Sequence, residues 1–339
     1  MGIARWLLEG FSGIGCPRRR HGSVLVMVLW VMVLVAFLAA QHGAHNRDKA
    51  SLAVDTMGRI AREQAVQSIV DLYRGGKPVF ATEKDVTWRV ISINDRDVWV
   101  RYDEEGKRVR VDPGNEVKLR ELVRTIQEQR YPDRSEREIV LQADELTDAM
   151  LDWIDADDLV RLNGAEADVY IQNGLSYVPS DAPFRTMTEM LLVIGMSEAF
   201  FWGDPLARLL EDLARMADMA GLRWEGGEDV ASSRLRTSGS SRMGTETLEW
   251  IRDFWDAVTI YDKNVHRLTM IGLEPQGGYW MAVVFLKSGG AGGGAVKEIL
   301  EEIRLRFPSD TSERQIASVQ EAGRGLRNPL WKRYTVVEP

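Results

Sequence analysis

"RRRHGSVLVMVLWVMVLVAFLAA", residues 18–40, joins three arginines to an uncharged apolar run near the N-terminus of the 339-residue chain. The run from Ser23 to Ala40 contains about 18 residues, which span roughly 27 Å as a helix, close to the thickness of a bilayer core. Leu38 or Phe37 would stand three positions before a cut at the end of the run, and both are too large for ordinary signal peptidase. We therefore expect a membrane span with the arginines on its cytoplasmic side.

The chain as a whole has the composition of a globular protein with an acidic balance. Hydrophobic residues make up 45% of the chain and charged residues 28%, with a formal net charge of −8. This negative charge disfavours binding to the phosphate backbone of nucleic acids. The single cysteine, Cys16, precedes the apolar run, so no disulfide forms within the chain.

Helical periodicity continues beyond the apolar run. Between residues 50 and 73 the apolar side chains recur at steps of three and four, no proline interrupts them, and "GGKP" at 75–78 provides a stop signal. The pattern predicts one helix of about 50 residues, whose second half offers an apolar face to a folded domain.

Strand patterns before and after a helical region predict an α+β fold. "VTWRVISI" (86–93) and "DVWVRYDEEGKRVRVD" (97–112) alternate apolar and polar residues, which predicts a short antiparallel sheet. Strand-like segments return near the C-terminus at 257–261, 265–273 and 279–287, and they are followed by a glycine run at 289–294 and an expected helix at 296–306.

Helical patterns dominate the region between the two groups of strands. They fall at 117–129, 143–154, 186–196 and 205–220. We expect a large helical insertion into the sheet. The expected parts are a leader (1–22), the N-terminal helix (23–76), the first part of the sheet (77–113), an inserted helical domain ending in a polar loop (114–255, with the loop at 222–246), and the return strands with a helix (256–339).

Five carboxylates crowd into one stretch, "DADDLVRLNGAEAD" (155–168). Such a cluster is costly without a cation, and oxygen ligands without cysteine or histidine favour calcium. The alternative is a solvated helix end with Asp caps and surface acids. The candidate calcium ligands are Asp155, Asp157, Asp158, Glu166 and Asp168.

The N-terminus resembles that of type IV pilins and type II secretion pseudopilins, which join a basic leader ending in glycine to an apolar helix. The resemblance implies that a prepilin peptidase cuts after Gly22 and leaves Ser23 as the mature N-terminus. Most of the family carry glutamate five residues after the cut, where this chain has Met27. An unpaired carboxylate is costly in an apolar filament core. A chain without this glutamate resembles the K-type minor pseudopilin (GspK). The resemblance implies a position at the filament tip.

Two ordered motifs strengthen the resemblance to the K-type family. "DWIDAD" (152–157), "GAE" (164–166) and Tyr170 resemble one family segment, and "YVPSDAPFRTMTEMLLVIGM" (177–196) resembles another. The C-terminal third lacks the family's Asn-rich motifs. The residues that carry the motifs are Asp152, Trp153, Gly164, Ala165, Tyr170, Gly195 and Met196.

The resemblance implies a pilin-like fold, in which a long membrane-spanning helix packs on an antiparallel sheet and a large helical domain is inserted. It implies a structural role in type II secretion, not an enzymatic one. The expected protein spans the inner membrane once, with a cytoplasmic N-terminus and a periplasmic bulk. Its expected partners are the I- and J-type minor pseudopilins, the pseudopilus assembly platform and prepilin peptidase, and not nucleic acid.

Two alternatives to this interpretation remain open. One is a minor pilin of a type IV pilus or another signal-anchored assembly protein. The other is a membrane-anchored hydrolase that uses Asp155 and Glu166 as general acid and base.

Overall fold

The computed structural model describes residues 21–75, 88–94, 96–219, 253–274, 278–287, 298–307 and 333–336. Most of the expected leader, the polar loop at 222–246 and the glycine run at 289–294 lie outside these residues. The chain divides into two compact units, Met1–Ala61 and Arg62–Pro339.

Helix α1 (His21–Arg74) confirms the long N-terminal helix that the sequence predicts. It ends at Arg74, next to the expected stop signal, and the amide of Gly75 donates to the carbonyl of Asp71 at 2.8 Å. By length and composition α1 is long and apolar enough to cross a membrane. Its large apolar side chains between Leu25 and Leu38 are each at least 50% exposed, as a lipid-facing segment requires.

A mixed sheet forms the centre of the second unit. The strands of the described residues are β1 (Arg89–Ile93), β2 (Arg96–Glu104), β3 (Val109–Arg110), β4 (Val258–Thr259), β5 (Val265–Leu273), β6 (Tyr279–Lys287), β7 (Glu298–Phe307) and β8 (Arg333–Val336). The mixed sheet has the strand order β7-β6-β5-β2-β1-β8, and all neighbours are antiparallel except β1 and β8. A separate two-stranded parallel sheet joins β3 and β4.

The last turns of α1 cover one face of the sheet. Ala65, Val66, Ile69 and Val70 are buried at the three- and four-residue steps of one helix face. They form an apolar cluster with alternate residues of the strands, since successive strand side chains point to opposite faces. The strand residues are Ile91, Ile93, Val98, Val100, Leu268, Met270, Trp280, Ala282, Val284 and Leu286.

The helical region covers the opposite face of the sheet. Trp99, Ile271, Met281 and Phe285 belong to a second apolar cluster that continues into the helices. The helices are α2 (Glu116–Arg130), α3 (Glu136–Ile154), α4 (Ala167–Gln172), α5 (Glu198–Trp202), α6 (Pro205–Met219) and α7 (Phe254–Ala257). The chain leaves the sheet through β3 and returns through β4, so the pairing of these strands holds the two ends of the inserted region together.

Three predicted elements were wrong. Residues 296–306 were expected to form a helix, but β7 occupies 298–307. In β7, Glu302, Arg304 and Arg306 are exposed, whereas Ile303 is buried and Phe307 stacks on Tyr279 with ring centroids 4.3 Å apart. This two-residue period favours pairing with β6 over a helix.

The end of the strand-like segment at 97–112 and the helix expected at 186–196 also differ from the structure. β3 pairs with β4 instead of extending the main sheet, because a 3-10 turn at Glu105–Lys107 redirects the chain after β2. The segment at 257–261 contributes β4 to the same small sheet. The helix at 186–196 is a 3-10 helix at Met187–Leu192, whose first amide donates to the Glu301 carboxylate at 2.8 Å.

Candidate functional site: a buried acidic cluster

The candidate site lies where α3 ends and α4 begins. α3 starts with a capping box between Ser135 and Glu138, which fixes its N-terminus. At its other end, Asp155 leaves helical geometry with φ −80° and ψ 165°. The chain then loops through residues 156–165 and enters α4 after Glu166, which occupies the position before the first helical residue. The loop thereby brings Glu166 back to the end of α3.

Three carboxylates meet at this point. Asp152, Asp155 and Glu166 each offer an oxygen that lies within 4.8 Å of the other two. The side chain of Asp152 is fully buried, and that of Glu166 is 9% exposed. Within the described part of the chain, Asp152 Oδ1, Asp155 Oδ1 and Glu166 Oε1 are buried and accept no hydrogen bond. We call these three residues the acidic cluster.

The electrostatics of the acidic cluster disfavour three bare negative charges. Burial, followed by the charges of Asp152 and Asp155, raises the pKa of Glu166 to about 7. Burial also raises the pKa of Asp152 and of Asp155. Such carboxyls either bind protons or are neutralised by a cation, because a buried charge without a partner is costly.

The loop backbone is shaped around one oxygen of Asp152. The amide of Arg161 donates to Asp152 Oδ2 at 3.2 Å. A Cβ atom added to Gly164 would lie only 1.9 Å from the same oxygen, so this position accepts only glycine without rearrangement. The amide of Asn163 donates to Oδ2 of Asp148 at 3.2 Å, which anchors the loop to the preceding turn of α3.

The candidate ligands from the sequence are only partly brought together. Asp155 and Glu166 lie in the acidic cluster. Asp157 is exposed, and its Oδ1 accepts the amide of Leu159 at 2.9 Å in a local turn. Asp158 and Asp168 are exposed and do not belong to the cluster.

Asp152 was predicted as a motif residue but not as a candidate ligand. It lies in the last turn of α3, three residues before Asp155, which follows the last residue of that helix. The signal that could have found it is an aspartate between the apolar residues Leu151 and Trp153, both of which are buried. A carboxylate in such an apolar context needs a specific partner.

The other motif residues form the apolar support beneath the cluster. The Trp153 ring stacks on Phe184, and its Nε1 donates to Glu189 Oε1 at 3.2 Å. The hydroxyl of Tyr170 accepts the amide of Ile194 at 3.0 Å. Gly195 follows with φ +86°. Ala165 is buried, and Met196 packs against the same apolar core.

A second charged cluster, which the sequence did not reveal, joins the sheet to the helical region. Arg267 and Glu105 are both fully buried and form two bonds, from Nε at 2.7 Å and from Nη2 at 2.9 Å. Arg101 and Arg108 both donate to Asp256 of α7. Despite burial, these two arginines hold the pKa of Asp256 well below its usual range. Every charge in this cluster faces an opposite one, which is typical of a structural role.

The start of α1 contains the two residues of the expected processing site. Gly22 and Ser23 lie in the first turn of α1. The cleavage between them stays a prediction.

Comparison with known proteins gives a family match that falls mainly within the helical region. Residues 110–202 match the family model described as type II secretion system (T2SS), protein K. The type II secretion system protein K of Klebsiella pneumoniae is 36% identical over 78 residues, which are 23% of this chain and 22% of that protein.

The solved structures also contain a similar chain. It comes from the crystal structure of the GspK-GspI-GspJ complex of the enterotoxigenic Escherichia coli type 2 secretion system, with a TM-score of 0.38 and 14% identity. The similarity covers 74% of this chain and 98% of that chain. The residues that match the type II secretion system protein K family model, 110–202, include the acidic cluster.

Proposed function

We propose that the chain is a minor pseudopilin that takes part in protein export by the type II secretion system. The observation that carries the proposal is the protein K domain, which is inserted between the strands of a sheet in a chain that also has a long apolar N-terminal helix. The proposed role is mechanical, and the residues described here act by packing, membrane anchoring and contacts with other subunits.

The proposed place of the chain is the inner membrane, with the N-terminus in the cytoplasm and the bulk in the periplasm. The arginines before Ser23 support this orientation, because positive charge favours the cytoplasmic side. Met27 supports a position at the pseudopilus tip, since it brings no carboxylate that would need a neighbouring subunit's amine in the apolar filament core.

The proposed partners are the I- and J-type minor pseudopilins and the assembly platform. The complex named for the similar solved chain contains a GspI and a GspJ subunit. Prepilin peptidase is proposed to remove residues 1–22, so that Ser23 becomes the N-terminus of the mature subunit.

The acidic cluster is proposed to hold calcium. Asp152, Asp155 and Glu166 present buried oxygens that accept no hydrogen bond within the described residues, with neither cysteine nor histidine among them, and such hard donors suit calcium. Bound calcium would supply the positive charge that the cluster needs. The three side chains would then fix the end of α3, the loop at 156–165 and the start of α4 in one arrangement.

Gene deletion in the native host tests the secretory role. We expect the deletion strain to retain type II substrates in the periplasm, and the full-length chain supplied on a plasmid to restore export. The matched control is export by a Sec-dependent route that does not use the type II machinery, which should be unchanged. Normal export of type II substrates by the deletion strain would contradict the proposal.

Affinity capture tests the proposed partners. The full-length chain, co-expressed with the I- and J-type pseudopilins of the same host and extracted in detergent, should capture both of them. Capture of neither would contradict the proposed assembly.

A further inference from the structure

The guanidinium of Arg161 lies beside the carboxylates of the acidic cluster. Its Nε is 3.2 Å from Asp152 Oδ1, and its Nη2 is 3.6 Å from Asp155 Oδ2. Its Nη1 is 3.3 Å from Glu116 Oε2 on α2. Arg161 therefore brings a positive charge to the place where a metal ion would lie.

The guanidinium donates a hydrogen bond to Glu116 Oε2 at 3.3 Å, but it does not satisfy the oxygens of the acidic cluster. Arg161 Nε and Asp152 Oδ1 are both buried, yet neither makes a hydrogen bond of acceptable geometry within the described residues. The contact from Nη2 to Asp155 is longer than a good hydrogen bond. Glu166 Oε1, which is also buried, accepts no hydrogen bond in this part of the chain. Arg161 thus contributes charge with little directional bonding, unlike a well-formed arginine–carboxylate pair.

The acidic cluster has more negative charge than Arg161 balances. Asp152, Asp155 and Glu166 are three potential negative charges, and Arg161 supplies one positive charge against them. The neighbouring Asp148 is paired separately with Arg120 at 2.6 Å. An excess of negative charge therefore remains beside Arg161, and a divalent cation would reduce it.

We propose that Arg161 is a built-in competitor for the metal. Its guanidinium compensates the cluster when metal is absent and gives up Asp152 Oδ1 when a divalent cation binds. This inference rests on the proposed calcium site. The competition concerns the side chain alone, because the backbone amide of Arg161 holds the other oxygen of Asp152 and keeps the carboxylate oriented in either state.

Calcium affinity measured by isothermal titration calorimetry tests the competition. The full-length chain is purified in detergent, stripped with a chelator and titrated with Ca²⁺ alone, as wild type and as Arg161→Gln. Removal of a competing charge at this distance should tighten binding roughly tenfold. Weaker binding by Arg161→Gln would show that Arg161 supports the site, and unchanged binding would show that it plays no part in it; either result would overturn the inference.

Arg120→Gln is the matched control. Arg120 pairs with Glu116, Asp144 and Asp148. The Arg120→Gln substitution therefore removes the same charge from the same region without changing a contact to the acidic cluster. A gain in affinity well below that of Arg161→Gln is expected. An equal gain in both variants would indicate a long-range charge effect and would also overturn the inference.

Thermal unfolding gives a second test, because loss of a purely structural arginine would not increase the rise in melting temperature that Ca²⁺ causes. Metal-free Arg161→Gln should melt below wild type, because the cluster loses its compensating charge. Saturating Ca²⁺ should raise its melting temperature by more than it raises that of wild type, since tighter binding to the native state stabilises it more. An equal rise in both proteins would count against competition.

The outcomes separate the two claims. Equal calcium binding by wild type and Arg161→Gln would leave the metal site standing and remove the role of Arg161. Binding to neither protein would overturn the calcium site and the inference together, and it would leave the secretory role to the export assay.

Discussion

Single residues decide the geometry of the acidic cluster, and Gly164 is the most constrained of them. The Gly164→Ala variant should destabilise the folded unit by about 2 kcal/mol, because its Cβ would overlap Asp152 Oδ2 and force the loop to move. Chemical denaturation of the full-length chain in detergent measures the change. Gly43→Ala is the control, since a Cβ there meets nothing within 4 Å and should cause no such loss. Equal stability of Gly164→Ala and wild type would contradict the described loop.

Asp253 gives the clearest dependence on pH. Burial raises its pKa from 3.8 to about 6, even though Arg130 Nη2 lies 3.3 Å away. A raised pKa means that the folded state binds the proton more tightly, so this contribution to stability is present below pH 3.8 and is lost as the pH rises through 6.

The Asp253→Asn variant isolates this contribution. Relative to the variant, wild type should lose about 2 to 3 kcal/mol of unfolding free energy between pH 4 and pH 7. Denaturation curves at several pH values measure the difference. A difference that does not change with pH would contradict the assigned pKa.

At the scale of single residues, the sequence predicted that the site consists of carboxylates, but it predicted less well which carboxylates form it. The stretch 155–168 was identified from its density of carboxylates, and two of its five candidates meet in the cluster. Asp157 takes part in a local turn that spacing alone does not reveal. Asp152 was missed as a ligand because its burial depends on tertiary packing of the end of α3.

Among the elements, β5 is joined to the turn after β2 by the buried pair of Arg267 and Glu105, and Arg267 also donates to the carbonyl of Trp255 in α7. Glu105→Ala should cost about 3 to 5 kcal/mol, because it leaves the Arg267 guanidinium buried without its partner. The exposed pair of Glu302 and Arg304 on β7 is the matched control, and Glu302→Ala should cost less than about 1 kcal/mol. Denaturation of both variants measures the two costs, and similar values would contradict a structural role for the buried pair.

Element prediction succeeded where local pattern and tertiary environment agree. The bounds of β5 and β6 match the strand-like segments, and α2, α3 and α6 lie where the helix period indicated. β7 was mistaken for a helix because Ile299 and Ile303 also have the four-residue spacing of a helix face. The charged cluster around Arg267 was not predictable in the same way, since its pairs are up to 162 residues apart.

At the scale of the whole molecule, the second unit is a sheet covered on both faces. The last turns of α1 cover one face and the inserted helices cover the other. This explains why β6 reads as a nearly continuous apolar run, "YWMAVVFL", in place of a strict alternation. The α+β class and the large helical insertion were predicted from the sequence, whereas the proposed domain boundaries stay a prediction.

The central claim is that the chain is a pseudopilin, and the most direct test is its processing. Intact-mass spectrometry of the full-length protein after co-expression with a prepilin peptidase should show loss of residues 1–22 and a new N-terminus at Ser23. The Gly22→Leu variant should remain uncut under the same conditions. An uncut wild-type chain in the presence of an active peptidase, verified on a known pseudopilin, would contradict the account.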